Sequence, residues 1–223
     1  MKKVCYTAIG GGYDDPKTFK RTNGWKYVLF TNVPIPKEKH NGWEVVLIES
    51  ELENARFARY CKHNPHKVLE NYSSDVSIWV DANLTVIANL DNILKQLGNF
   101  EFITMDHPYR NCIYQEALEC IKQHKDSADI INKQVIQYKR EGMPHGNGMI
   151  QSGILFRKHN NKNVIEFQEK WWNEVLTKSK RDQLSFNYVK WKNPKLIDHK
   201  MLDSKQLLFN PNLFPIQPHK HGW

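Results

Sequence analysis

Asp81 and Asn83 stand two residues apart, directly after the apolar run Val76-Ser77-Ile78-Trp79-Val80. A carboxylate at the end of a buried strand is costly to desolvate unless something compensates it. A D-x-D-like pair there could hold a divalent cation, which clamps a diphosphate and offsets charge on a leaving group. The same two residue types are also ordinary turn formers. Arg56, Arg59 and Lys62 recur at i, i+3 spacing, which predicts three cations along one helix face, able to meet a diphosphate or a base. A solvated basic face is the plainer alternative, tempered by the packed look of Ala55, Phe57, Ala58 and Tyr60 between them.

Gly10-Gly11-Gly12 permits close backbone approach to a ligand, or simply a tight turn. The run is neither G-x-G-x-x-G nor G-x-x-x-x-G-K-[ST], which argues against dinucleotide and P-loop sites. Asp182 and Gln183 set a carboxylate beside an amide at the start of a short helix, where they could face a substrate; Ser179 or Asp182 could equally cap that helix. Ser152-Gly153 is a small-residue approach point. His107, Tyr109 and Arg110 follow another strand end, where Arg110 could grip an acidic group or the segment could form a structural His-Pro turn. The tail 218–223 concentrates His219, Lys220 and His221, with imidazoles suited to a metal and an ammonium suited to a phosphate.

These groups need a scaffold that brings strand ends together. Strands are expected at 4–9, 25–32, 43–48, 76–80, 100–105 and 149–157, and helices at 54–70 (broken by Pro65), 113–124, 129–141, 163–176 and 182–189. That alternation predicts an α/β chain with a central, mostly parallel sheet flanked by helices. Ligands of such sheets bind beyond the carboxyl ends of the strands. No repeat or low-complexity linker interrupts the 223 residues, so one domain over 1–223 is expected.

Composition narrows the partners. The hydrophobic fraction is 40% and the aromatic fraction 12%, enough for a core and unlike a disordered chain. No apolar run reaches membrane-spanning length. The strand-like run after Met1-Lys2-Lys3 is too short for a signal peptide, so a cytoplasmic location is expected. Cys5, Cys61, Cys112 and Cys120 form no C-x-x-C pair and read as small buried hydrophobes. The net charge of +8 calls for an anionic partner or surface. Its dispersal, without basic arm, zinc finger or RNP motif, speaks against nucleic acid.

The order of these features along the chain resembles the retaining GT-A glycosyltransferases of glycogenin and galactosyltransferase type, and more closely the DUF616 family of glycosyltransferase-like proteins. The stretches that carry it are YTAIGGGYDD (6–15), ARFARYCKHNPHKVL (55–69), SIWVDANL (77–84), DHPYRNCIYQEA (106–117), REGMP (140–144) and SKRDQLSFNYV (179–189). The resemblance implies a Rossmann-like GT-A fold and transfer of a hexosyl or uronosyl group from a nucleoside-diphosphate donor, UDP-linked, to a glycan or lipid-linked acceptor, with retention, in surface polysaccharide synthesis. It implies donor contacts from Thr7, Ala8, Gly11, Gly12, Tyr13, Arg56, Arg59, Lys62, Asp81, Ser152, Gly153 and Lys220. Asp182 and Gln183 would lie beside the anomeric carbon, and His107 and Arg110 would face the acceptor. Asp81, Asn83, His219 and His221 would hold Mn2+ or Mg2+. D-x-N has one charge fewer than D-x-D, so metal affinity is expected to be low or the metal dispensable. That weakening also leaves room for a non-catalytic nucleotide-sugar or glycan-binding protein on the same fold. A lipid-linked acceptor would bring a basic enzyme to the inner face of the membrane as a peripheral contact.

Overall fold

The computed structural model describes residues 1–220. The β-branched and aromatic runs become strands β1 (Lys3–Ile9), β2 (Trp25–Thr31), β3 (Glu44–Leu47), β4 (Val76–Val80), β5 (Phe102–Asp106), β6 (Ile150–Arg157) and β7 (His199–Leu202). Between them lie α1 (Asn54–His63), α2 (Pro65–Val68), α3 (Leu90–Leu97), α4 (Ile113–Lys122), α5 (Ala128–Arg140), α6 (Lys162–Thr177) and α7 (Gln183–Lys192). Pro65 breaks the predicted 54–70 helix as expected, taking the first position of α2, where its missing N–H costs nothing.

The strands form one sheet in the order β3-β2-β1-β4-β6-β5-β7. All neighbours are parallel except β6, which runs antiparallel to both β4 and β5. This is the expected organisation, a mostly parallel sheet with helices on its faces. Every residue of β4 is buried, as a strand covered on both sides requires. On one face Tyr6, Trp79 and Phe102 pack with Phe57 of α1, Phe167 and Trp171 of α6 and Phe186 of α7. On the other, Ile78, Ile103 and Phe156 pack with Leu90 and Ile93 of α3 and with Leu208 and Phe214 of the C-terminal segment. The four cysteines are buried and unbridged. Among the described residues no helix is long and apolar enough to cross a membrane.

The first four strands have the order 3-2-1-4, so the chain reverses direction across the sheet between β1 and β4. A crevice forms at such a switch point, outside the strand carboxyl ends. The segments that leave β1 and β4 there are the glycine loop and Asp81-Ala82-Asn83.

Two elements were not expected from the sequence. Helix α3 is short; Asn89 caps it by accepting from the Asn92 N–H, Leu90, Ile93 and Leu97 are buried, and Leu94 packs half-buried against the same core. Strand β7 sits at the sheet edge beside β5 with His199 and Leu202 partly covered and Lys200 and Met201 exposed. An edge strand of that composition carries no apolar run to announce it.

Candidate functional site

A cavity of about 540 Å³ opens at the predicted crevice. Its walls come from the ends of β1 and β4, the first turns of α1, the β6 residues Gln151 and Ser152, the lead-in to α7, and the C-terminal tail. A larger, shallower groove of about 690 Å³ between α6 and α7 is lined by Glu166, Glu169, Lys170 and Lys192 and contains none of the strand-end residues.

The glycine loop is shaped by contact with α1. A Cβ on Gly10 would lie 2.1 Å from the Asn54 carbonyl oxygen, and one on Gly11 would lie 2.0 Å from the Asn54 side-chain nitrogen. Gly11 also has φ of +60°, and its N–H donates to Asn32 Oδ1 at 2.7 Å. Ala8, Gly11 and Tyr13 reach the cavity, whereas Thr7 is buried within β1 and neither it nor Gly12 belongs to the lining.

The basic helix divides in two. Arg59 lines the cavity, with Nε 3.6 Å from Asp182 Oδ1. Lys62 is buried, its side chain 1% exposed, and its Nζ lies 2.7 Å from Asp182 Oδ2, 3.5 Å from Asp81 Oδ1 and 3.0 Å from Ser152 Oγ. One ammonium thus joins the two carboxylates the sequence singles out, instead of projecting toward a diphosphate. Arg56 departs from expectation: its guanidinium donates to the carbonyls of Val175 and Lys178 and closes the C-terminus of α6. At about 100° per residue, positions 56 and 62 stand about 120° apart around the helix, so i, i+3 spacing held twice leaves the shared face.

Asp182 is the N-cap of α7 and accepts from the Gln183 N–H. Ser152 Oγ donates to its Oδ2 at 3.0 Å, and Trp171 Nε1 donates to its carbonyl at 2.9 Å. Burial works to raise its pKa, but the charges of Lys62 and Arg59 outweigh burial and hold the carboxyl well below the usual carboxylate range. Burial also lowers Lys62, against the pull of Asp182 and Asp81; the pair stays ionised because each charge is the other's main compensation. His63 packs on Trp171, with Nε2 3.7 Å from Asp182 Oδ2 and neither ring nitrogen hydrogen-bonded. Gln183 is fixed from both ends: Arg181 donates to its Oε1 at 3.0 Å, and its Nε2 donates to the Ile150 carbonyl at 3.0 Å.

Asp81 is held by Trp79, whose Nε1 donates to Oδ1 at 2.8 Å, and by the Gly153 carbonyl, which accepts from its N–H at 2.8 Å. A Cβ on Gly153 would touch Asp81 Oδ2 at an ordinary contact distance of 3.5 Å, and Gly153 itself is not part of the cavity lining. The tail reaches the same place by pairing with the strand exit. Leu84 bridges Ile216, and the Gln217 N–H donates to the Asn83 carbonyl at 2.8 Å. His219 then lines the cavity with Nδ1 2.7 Å from Asp14 Oδ2, and the Lys220 N–H donates to Asp14 Oδ1 at 3.0 Å. The Lys220 ammonium goes to Asp15 at 3.3 Å and lies outside the lining. The sequence signal for Asp14 and Asp15 is their place directly after the glycine run.

Asp81, Asn83 and His219 therefore share one cavity. Their donor set is a carboxylate, an amide oxygen and an imidazole whose Nδ1 is taken by a buried carboxylate, the arrangement that orients a histidine for ligation through Nε2. These are donor types that a divalent cation accepts. Among the described residues no cluster of three or more His, Cys, Asp or Glu is positioned for a metal, and His221 lies outside the described residues.

The expected acceptor pair is elsewhere. His107 Nδ1 accepts from the N–H groups of Tyr109 and Arg110, and Arg110 Nε pairs with the buried Glu116. This is the structural His-Pro turn, and neither residue lines the cavity. His124, Lys125, Lys180 and Arg181 line it instead. They sit in two loops far apart in sequence, which no local motif joins.

No curated protein matches the chain. Solved structures of the glycosyltransferase GlyE from Streptococcus pneumoniae TIGR4 are similar at 12% identity and a TM-score of 0.48, over 92% of this chain and 46% of theirs. The apo form of GlyE gives 14% and 0.46, over 93% and 46%. The chain thus spans about half the length of those proteins. A glycosyltransferase involved in glycosylation of the major capsid of PBCV-1 is similar at 12% identity and a TM-score of 0.42, over 82% of each chain. The model of the TOD1/MUCI70 glycosyltransferase-like domain matches residues 4–209, a span that takes in every cavity-lining segment except the tail, and the chain belongs to that family.

Proposed function

We propose that the chain transfers a sugar from a UDP-sugar to a hydroxyl of a glycan or lipid-linked acceptor, with retention of anomeric configuration, in polysaccharide synthesis. The observation that carries this reading is the buried Lys62 ammonium bound to both Asp81 and Asp182 at one cavity wall. It couples the end suited to a diphosphate to the end suited to a developing sugar cation.

In this reading the nucleotide lies against Ala8, Gly11 and Tyr13, with its diphosphate at Asp81, Asn83 and His219. A divalent cation such as Mn2+ or Mg2+, when bound there, would offset charge on the leaving group. Arg59 adds a fixed positive charge at the same wall, preorganised for the departing diphosphate. The bond from the anomeric carbon to the phosphate oxygen breaks, and a bond to the acceptor oxygen forms on the same face. The acceptor proton passes to the departing phosphate oxygen. Asp182, kept anionic by Lys62 and Arg59, stabilises the cationic sugar, and Gln183 fixes the rim beside it.

A thermal-shift panel of UDP-, GDP- and CMP-sugars with and without Mn2+, on wild type and Asp81→Ala, tests the donor site. UDP-sugars are expected to raise the Tm of wild type and to do so much less for the variant. Equal shifts in both proteins would remove Asp81 from the site. The single carboxylate among the candidate ligands favours one second reading, a non-catalytic nucleotide-sugar-binding protein. Donor binding without hydrolysis or transfer, followed by chromatography of the nucleotide released, would select it.

A further inference from the structure

The C-terminal tail is tied down in two stages. As far as Gln217 it pairs with the segment that leaves β4: the Thr85 N–H donates to the Pro215 carbonyl at 2.9 Å, and the Gln217 N–H to the Asn83 carbonyl at 2.8 Å. Phe214 is buried, but Ile216, Gln217, Pro218 and Lys220 are exposed. Beyond Gln217 the hold passes to a different element, the glycine loop that leaves β1.

One buried carboxylate makes that second contact. Asp14 is 4% exposed. Its Oδ2 lies 2.7 Å from His219 Nδ1, and its Oδ1 accepts from the Lys220 N–H at 3.0 Å. The Lys17 ammonium stands 4.0 Å from Oδ1, and the Tyr13 ring 5.1 Å from the imidazole of His219. Both carboxylate oxygens are thus taken up by the tail. Stripped of those contacts, a desolvated carboxylate would keep only the more distant lysine, an unfavourable state. Tyr13, Asp14, Asn83 and His219 all line the cavity, so loop and tail meet at the cavity itself. An exposed segment with few contacts belongs to the least stable parts of a fold, and whatever fastens it sets how often this wall is in place.

Given the glycosyltransferase reading, on which this step rests, we infer that Asp14 is a positioning residue for the donor: it clasps His219 and Lys220 to the glycine loop, and the nucleotide binds the clasped form. A wall already fixed spares the donor the cost of ordering it. Lys220 then acts through its backbone N–H as an anchor, its ammonium being turned to Asp15.

The test pairs hydrogen exchange on the ligand-free full chain with calorimetric titration of UDP in the presence of Mn2+. Asp14→Ala should speed exchange in the tail from Ile216 to Lys220 and weaken UDP about ten-fold, as when the clasped fraction falls to about a tenth. Asp14→Asn, which keeps an acceptor for the Lys220 N–H, should lose less of both. Asp15→Ala removes an exposed ion pair, of a kind worth little, and should leave UDP affinity at the wild-type value. In the Asp14→Ala, His219→Ala double variant UDP should bind no more weakly than in His219→Ala alone, because Asp14 acts through the tail. Additive losses in that double variant, or unchanged tail exchange in Asp14→Ala, would overturn the clasp. No UDP binding by wild type would sink the donor reading and this step with it, whereas equal UDP binding by wild type and Asp14→Ala would sink this step alone.

Discussion

At the residue scale, the decisive feature is that two carboxylates flagged separately by sequence are joined by one buried lysine. A buried ion pair contributes little net stability, but removing one partner strands the other. Lys62→Met should therefore destabilise the protein by about 3–5 kcal/mol, because Asp182 would lose the nearest of its compensating charges. Asp182→Asn should rescue part of that loss, since the amide keeps the N-cap and the Ser152 contact without the charge. Urea denaturation of wild type, both single variants and the double variant measures the coupling. Strictly additive losses would show that Lys62 and Asp182 do not act as a unit. The lysine was visible in sequence as a cation near the site. Its partner was not, since 120 residues separate them and only the packing of α1 against α7's lead-in makes the pair.

At the element scale, the glycine loop and α1 fix one another, and their contacts sort the glycines. Gly10→Ala would drive a Cβ into the Asn54 backbone carbonyl, a clash no side-chain movement relieves. Gly11→Ala would meet the Asn54 side chain as well as bear the cost of its φ of +60°, so Asn54→Ala should recover only the part of its lost Tm that comes from the clash, while leaving Gly10→Ala uncorrected; equal rescue of both would contradict the contact. Gly12→Ala meets only Val33, at an ordinary contact distance of 3.9 Å, and bears the cost of its φ of +68°, about 1–2 kcal/mol. Helix α1 yields a second contrast. Arg56→Ala should lower Tm through the loss of two hydrogen bonds at the end of α6, with donor affinity unchanged, whereas Arg59→Ala should weaken donor binding with a smaller change in Tm. Nucleotide titration beside a thermal melt separates them, and the opposite pattern would return Arg56 to the site.

Much of this level was legible in the sequence. The apolar runs at 4–9, 25–31 and 76–80 announce themselves, and the residues that end the first and third mark the cavity. What stayed hidden depends on pairing across long separations. Strand β7 has four residues, two of them exposed, and α3 has eight, held by Leu90, Ile93, Leu94, Leu97 and one cap. His124 and Lys125 reach the site because α4 packs against α7 (a contact no periodicity encodes).

At the scale of the whole molecule, the core contains imidazoles that fold in neutral form, and this sets how the protein meets acid. His159 lies under Ser74 and beside Arg157, and burial followed by the Arg157 charge pushes its pKa down to about 4. His199 is wedged between Phe102 and Phe186 with Nε2 2.8 Å from Thr104 Oγ1, and burial, with Lys190 adding to it, pushes it down to about 4 as well. Both start from 6.5 in the unfolded chain. Between those values the unfolded state binds more protons, so unfolding free energy rises with pH across the window. The contribution is complete above about 6.5 and is lost as pH falls toward 4. Each histidine accounts for up to about 3 kcal/mol at one pKa unit per 1.36 kcal/mol. Tm measured from pH 7.5 to 4 should fall steeply below 6.5, before carboxylates with ordinary pKa values titrate. His159→Gln with His199→Gln should flatten that limb while lowering Tm at pH 7.5 through lost packing. A limb of the same steepness in the double variant would move the acid sensitivity to other groups.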